Sequence, residues 1–437
     1  MENSIKPLDK INLINFSSIQ MKTFHITWIT FFFCFFGWFG IAPLMPVVRE
    51  EFALSKEEIG NLVIASVFAT IFARIVFGRL CDSLGPRLSY TILLVLGAIP
   101  IIFIGLCNDY LSLLIFRFLI GIIGASFVIT QFHTSVMFDS KIVGTANAIA
   151  AGWGNLGGGV TNLVMPLIFS AIVSIGFTKF IAWRLAMIIP GIILLVLAYV
   201  YYKFTKDTPY GNYKEISKKL YIKRNSKGKL NKAITDYRTW LLAMAYAASF
   251  GIEITFDNVA AIYFVDYFKA DIVFAGALAS IFGIMNLFAR ALGGIYADKI
   301  GSKYGIKGKG IFLGITLILE GLGIILFANT NNLTIAVISM LVFALFLKMA
   351  NGANYSIVPF INKEAIGSVS GIVAAGGNIG AVLAGFLFKS DSFSYKEAFV
   401  FIGITVFIIG LLFMLKFNQT KKEKNILLEN LELESVS

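Results

Sequence analysis

Gly78-Arg79-Leu80-Cys81-Asp82-Ser83-Leu84-Gly85-Pro86-Arg87 closes one long apolar stretch, and Gly294-Ile295-Tyr296-Ala297-Asp298-Lys299-Ile300-Gly301-Ser302-Lys303 closes another. Both read G-x-x-x-D-x-x-G-x-[RK]. Each is preceded at the same distance by an Ala-Arg pair inside the apolar stretch, Ala73-Arg74 and Ala289-Arg290. A guanidinium cannot shed its charge, and placing one within a bilayer costs at least about 2.5–3.5 kcal/mol, so it is retained for a purpose. Two of them at matching places in a repeated segment point to a shared anionic guest.

Working outward, the composition fixes the solvent. The chain has 437 residues, of which 57% are hydrophobic and 14% charged, with a mean hydropathy of +0.81. That is too much apolar surface for a water-soluble protein of this length. A membrane span needs about 20 apolar residues. Candidate spans run over about residues 24–46, 57–80, 88–107, 110–137, 143–172 and 181–202, and then about 240–265, 272–297, 309–328, 332–358, 365–388 and 396–416. The pattern predicts an all-α membrane protein with twelve transmembrane helices in two sets of six. Residues 1–203 form the first bundle, 204–238 a basic linker, 239–417 the second bundle and 418–437 a tail.

The segment between the sixth and seventh spans carries Lys203, Lys206, Lys214, Lys218, Lys219, Lys223, Arg224, Lys227, Lys229, Lys232 and Arg238. Cytoplasmic loops hold an excess of Lys and Arg, which places the linker and both termini in the cytoplasm of a multi-pass protein of the cell membrane. The net charge of +12 is thereby accounted for by topology and by contact with anionic lipid headgroups, and no nucleic-acid partner is expected. The first apolar stretch is too long for a cleaved signal peptide. Cys34, Cys81 and Cys107, and the two histidines His25 and His133, lack metal-ligand spacing and read as packing residues, so neither metal nor cofactor is expected.

A second repeat lies in the fifth and eleventh spans. Gly144 is followed by Ala151-Gly152-Trp153-Gly154-Asn155-Leu156-Gly157-Gly158-Gly159, and Gly367 by Ala374-Ala375-Gly376-Gly377-Asn378-Ile379-Gly380, with the same spacing from first glycine to asparagine. Gly152, Gly154 and Gly157, like Gly376, Gly377 and Gly380, allow close helix packing or gating movement. The amides of Asn155 and Asn378 can donate to an oxyanion. Gly152-x-Gly154-x-x-Gly157 also matches a dinucleotide fingerprint, but the strand, turn and helix that fingerprint requires are missing.

The first repeat resembles the loop signature of the major facilitator superfamily, in which Asp82 and Asp298 serve helix packing or gating. Ser83 departs from it where a basic residue is usual and where the second copy keeps Lys299. Arg117-Phe118-Leu119-Ile120-Gly121 is similar to that superfamily's fourth-helix pattern. The glycine-asparagine pair resembles the twin signatures of the nitrate/nitrite porter family, a branch of these proteins, and the likeness extends from Trp38 to the twelfth span.

The resemblance implies two pseudo-symmetric six-helix bundles and no enzymatic activity. It also implies a nitrate, or nitrite, held from opposite sides by Arg74 and Arg290 in a central cavity. Phe127 from the fourth span and Tyr246 and Phe250 from the seventh are implied to lie above and below the anion, with Asn155 and Asn378 lining the site. A planar guanidinium offers paired donors that match a planar oxyanion, which a lysine does not. Asp82 and Asp298, the nearest carboxylates in sequence, lie about two helical turns away from the arginines, which favours substrate over a structural ion pair.

In the seventh span, Gly251-Ile252-Glu253-Ile254-Thr255-Phe256-Asp257-Asn258 is similar to the branch that imports nitrate with protons, which makes Glu253 the candidate for proton coupling. Glu320 and Lys348 fall near mid-membrane and are expected to pair structurally. The expected function is therefore nitrate uptake by alternating access, with protons as co-substrate, by a protein acting as a monomer. Left open are nitrate/nitrite exchange, another small anion as cargo, and a nitrate sensor. No nucleotide-binding loop of the G-x-x-x-x-G-K-[ST] type is present, so a gradient must drive the movement.

Overall fold

The computed structural model describes residues 7–14, 16–139, 142–213, 215, 229–362, 366–389 and 392–417. Most of the central lysine-rich segment, the C-terminal tail and the side chain of Asp82 lie outside the described residues. The helices are α1 (Ile19–Phe39), α2 (Met45–Phe52), α3 (Lys56–Leu84), α4 (Pro86–Phe103), α5 (Tyr110–Gly121), α6 (Ser126–Met137), α7 (Val143–Ser174) and α8 (Lys179–Phe204). They continue with α9 (Lys229–Thr235), α10 (Tyr237–Phe268), α11 (Ile272–Ile284), α12 (Ala289–Asn329), α13 (Leu333–Ile361), α14 (Ile366–Lys389) and α15 (Tyr395–Lys416).

Short loops end in side chains that cap the next helix. Ser55 caps α3 and Ser394 caps α15, each in a reciprocal pair with a glutamate three residues on. Asp109, Thr178, Asp271 and Asn332 cap α5, α8, α11 and α13. Each satisfies backbone N–H groups that would otherwise be orphaned at a helix start.

Among the described residues, eleven helical runs are long and apolar enough to cross a membrane, and one of them, Ile272–Asn329, has 58 residues. A straight helix of that length would reach about 87 Å, nearly three times the apolar thickness of a bilayer. It is broken at Gly305, whose φ of 66° and ψ of −161° lie where essentially only glycine is found. The run is therefore two crossings and the total is twelve. Large apolar side chains such as Phe72, Ile75, Leu111, Leu383 and Leu415 are more than half exposed, as lipid-facing residues are.

Four spans contain 3₁₀ turns that the apolar pattern did not announce, and in one of them Ile104–Leu106 extends α4. Ala42–Leu44 joins α1 to α2 at Pro43 and Pro46, Ile122–Ala125 joins α5 to α6, and Met285–Leu287 precedes α12. Such turns release carbonyls from the α-helical ladder.

The chain divides into two compact units, and the division falls within α10 and near the end of α14. The first comprises Met1–Arg224, Thr255–Asn286 and Gly385–Ser392. In it α1 and α11 pack on α7, α4 on α8, and α3 on α5. A Cβ on Gly159 would stand 2.4 Å from the Gly283 Cα, so α7 and α11 touch backbone to backbone. Arg49 holds Asp266 through two bonds of 2.9 Å, and Arg117 donates to the Trp38 carbonyl and to Asn258 Oδ1, both at 3.1 Å. His133 is buried with both ring nitrogens engaged, one by the Tyr201 hydroxyl and one by the Lys206 carbonyl. Cys34, Cys81 and Cys107 are buried thiols.

The second unit comprises Asn225–Ile254, Leu287–Ala384 and Phe393–Ser437. Here α12 packs on α13 and α15. A Cβ on Gly352 would stand 2.0 Å from the Arg290 carbonyl oxygen, which fixes how closely α13 lies against the start of α12.

The two loop motifs differ in their partners. In the first, Asp207, beyond α8, accepts from the backbone N–H of Arg87 at 2.9 Å and of Tyr213 at 3.1 Å. Burial pushes its carboxyl above the usual range, and these two N–H groups pull it part of the way back. Gly85 has φ of 87° and ψ of 157°, and a Cβ there would stand 2.4 Å from Asp207 Oδ1. Gly85→Ala should therefore cost about 1–3 kcal/mol from backbone strain alone. A lowered midpoint of thermal unfolding in detergent checks this; an unchanged midpoint would show that the loop accommodates a side chain. In the second motif, Asp298 pairs with Lys309 across the break at Gly305, and Lys309 also donates to the Ser356 carbonyl at 3.2 Å.

Candidate functional site

Arg74, on α3, is buried although its helix is otherwise apolar there. Its Nε donates to the Gly124 carbonyl at 3.3 Å, an acceptor made available by the 3₁₀ turn between α5 and α6. Its guanidinium lies 5.2 Å from the centre of the Phe127 ring, within cation–π range. Phe127 in turn lies 5.9 Å from Phe31 of α1. Gly154 of α7 packs flat against Phe31, and a Cβ there would overlap the ring, at 1.8 Å from Cδ1. Gly157, one turn on, meets the Phe32 carbonyl in the same way at 2.0 Å, and Gly152 approaches the Asn286 carbonyl at 2.9 Å. Between these glycines sits Asn155, 1% exposed, with neither end of its amide hydrogen-bonded within the described residues.

The second unit holds the equivalent set. Arg290, at the start of α12, is buried and donates from Nη2 to the Tyr246 hydroxyl at 2.9 Å. Its guanidinium lies 5.6 Å from the centre of the Phe250 ring. Tyr246 and Phe250, one turn apart on α10, are stacked with centroids 4.8 Å apart and planes 8° apart. Gly377 of α14 lies against both rings, each 2.8 Å from where its Cβ would be, and Gly380 and Gly376 meet the carbonyls of Ala247 and Ala243 at 2.3 and 2.5 Å. Asn378 is fully buried, and neither its Oδ1 nor its Nδ2 is hydrogen-bonded within the described residues.

The correspondence reaches a residue that sequence reasoning missed. Gly154 and Gly157 stand to Phe31 and Phe32 as Gly377 and Gly380 stand to Tyr246 and Ala247. Phe31 is thus the first unit's counterpart of Tyr246, and Phe35, 4.7 Å from Phe31, that of Phe250. A run of five aromatics in six residues, Phe31-Phe32-Phe33-Cys34-Phe35-Phe36, followed by Gly37-Trp38, hid them. Tyr355, edge-on to Tyr246 at 5.0 Å, was also missed. Its signal was the polar run Asn351-Gly352-Ala353-Asn354-Tyr355 inside an apolar span.

An unpaired amide within a membrane protein is costly, about 1–3 kcal/mol for each unsatisfied group. Each asparagine, beside a glycine that packs on an aromatic ring, suits a guest that both accepts hydrogen bonds and is flat. The buried guanidiniums supply the positive charge such a guest would neutralise.

Glu253 lies near the middle of α10. Lys348 Nζ of α13 is 2.8 Å from its Oε1, and Asn351 Nδ2 is 2.6 Å from its Oε2. Ser249 then donates to Asn351 Oδ1 at 2.8 Å. Lys348 therefore pairs with Glu253 rather than with Glu320, the partner expected from depth in the membrane alone. Two glutamates competed for one lysine, and hydrophobic periodicity cannot rank them.

Residues 27–385 match the family profile of the Major Facilitator Superfamily. The chain is 40% identical over 397 residues to high affinity nitrate transporter 2.5 of Arabidopsis thaliana, covering 90% of this chain and 78% of that one. It is 30% identical over 451 aligned positions to the nitrate/nitrite transporter NrtP of Nostoc punctiforme, covering 85% and 87%. Among solved structures it is similar to the crystal structure of a bacterial homolog to the human lysosomal transporter Spinster in an inward-facing and unoccupied conformation. There the TM-score is 0.72 at 14% identity, covering 91% of this chain and 97% of that one, a likeness of fold alone.

Proposed function

The chain belongs to the nitrate/nitrite porter family of the major facilitator superfamily, and from that premise we propose that it carries nitrate across a membrane, with nitrite as a second cargo. The observation that carries this reading is that each unit holds a buried arginine over an aromatic ring together with a buried amide: Arg74, Phe127 and Asn155 in one unit, Arg290, Phe250 and Asn378 in the other. In this reading Arg74 and Arg290 bind the anion through their guanidinium N–H groups. Phe127, Phe250 and Tyr246 give it flat apolar or hydroxyl-bearing walls, and Asn155 and Asn378 donate their amide N–H groups. The glycines around the asparagines let helices slide during alternating access. Residues 1–203 and 239–417 are the two six-helix halves, joined by the basic segment 204–238, and 418–437 is the tail.

Proton-coupled import is the direction this reading favours. An acid in a membrane span is a functional candidate by default. Glu253 stands one turn beyond Phe250 on α10, so a change in its ion pair with Lys348 bears directly on the helix that carries the aromatic pair. The protein then sits in the cell membrane as a monomer, with its termini and linker in the cytoplasm and lipid around its apolar belt.

Uptake of labelled nitrate into proteoliposomes tests the coupling, once with an imposed proton gradient and once with internal nitrite and no gradient. Accumulation with the proton gradient alone is the expected result. Accumulation with internal nitrite alone would replace import with protons by nitrate/nitrite exchange, and no movement of nitrate under either condition would end the nitrate reading.

A further inference from the structure

One ionisable group in the second unit is left over from everything above. Glu320, on the second leg of α12, is fully buried, and neither carboxylate oxygen has a hydrogen-bond partner among the described residues. It lies near enough to Glu253 and Lys348 to interact with both electrostatically. Among the described residues, its own helix and those packed on it offer no other charged group at its depth. On α12 no further ionisable side chain occurs between Lys309 and Asn329, on α13 the only charged one is Lys348, and on α15 none occurs between Glu397 and Lys416.

We propose that Glu320 binds the proton that travels with nitrate, and that Lys348 is the cation its two neighbouring carboxylates share. This rests on the proton-coupled reading above and moves the proton from Glu253 to its neighbour. The charge count carries it. Glu253, Glu320 and Lys348 sum to −1 without a proton and to zero with one, and a buried site tolerates a net charge poorly. Glu253 is already held by Lys348 and Asn351, so its two oxygens are occupied. Glu320 has both oxygens unengaged, and one of them can form the O–H bond.

The step is a proton transfer and nothing more. A proton from water adds to a Glu320 oxygen on one side of the membrane and returns to water on the other, while Lys348 stays an ammonium throughout. When Glu320 gives up its proton, the Lys348 ammonium is drawn from Glu253 toward the new carboxylate. That loosens the contact between α10 and α13, and α10 is the helix bearing Tyr246 and Phe250, with Arg290 bonded to the former. Protonation is thereby linked to the shape of the anion site through one lysine.

The test uses the full-length protein in proteoliposomes with a trapped pH-sensitive dye. Wild type should acidify the interior as nitrate enters and should also exchange labelled nitrate at equal concentrations without a gradient. Glu320→Gln should still exchange nitrate, with dye response to nitrate reduced to background. A Glu320→Gln protein that moves protons with nitrate as wild type does overturns the proposal. Wild type that exchanges nitrate but moves no protons overturns it too, and leaves the nitrate reading intact; absence of exchange removes both. Should the glutamine variant not fold, nitrate-induced infrared difference spectra decide. The wild-type band of a protonated carboxyl should shift in Glu320→Asp, and an unshifted band places the proton elsewhere.

Discussion

Arg290→Lys is expected to lower nitrate affinity by about 2–4 kcal/mol, or roughly thirty- to thousand-fold in Kd, and to reduce uptake to near background. The charge survives this substitution, so what is removed is geometry. The arginine uses one N–H on the Tyr246 hydroxyl and lies over Phe250, which fixes the plane of its fork and leaves Nη1 without a bond among the described residues. An ammonium is a compact point charge that cannot hold the phenol and present a planar pair of donors at once. Arg74→Lys should act in the same direction, because it breaks the anchor on the Gly124 carbonyl and the contact with Phe127. Titration of the purified protein with nitrate checks both. Affinity near that of wild type in either variant would remove that arginine from the site.

The second large effect is on stability. Lys348→Met should destabilise the protein by about 3–5 kcal/mol, because Glu253 then stays buried without its cation. Neither partner is more than 2% exposed, so water cannot take over. Adding Glu253→Gln should recover much of that loss, since the amide can keep its bond with Asn351 while the buried charge disappears. Thermal unfolding of the two single variants and the double variant measures the coupling. If the double variant loses the sum of the two single losses, the pair contributes nothing and the stability of this region lies in packing.

Much of this was legible in the chain because a bilayer restricts what a sequence can do. Twelve spans, the duplication and the two arginines follow from apolar length and from the rarity of charge within it. The glycine-asparagine repeats were readable as residues, but what they touch was not. Gly154 and Gly377 become informative only when Phe31 and Tyr246 are seen lying on them, and a chain with 42 phenylalanines offers no way to choose one by composition. The breaks at Ile122–Ala125 and Met285–Leu287 leave no mark in hydropathy, because 3₁₀ turns keep the same apolar residues while rerouting backbone bonds. The pairing of Lys348 with Glu253 depends on helix rotation, which a linear depth argument does not contain.

Gly305 bears on how the protein is made. The insertion machinery meets Ile272–Asn329 as a single helical run with no loop to mark where one crossing ends. Lys299, Lys303, Lys307 and Lys309 gather around the break, and four ammonium groups resist passage through the bilayer. The first leg therefore ends with its lysines at one face of the bilayer, and the second turns back from there. The turn is made at one residue whose backbone angles only glycine readily adopts. The eighth and ninth crossings thus form one hairpin around a single glycine, with Arg290 on its first leg and Glu320 on its second.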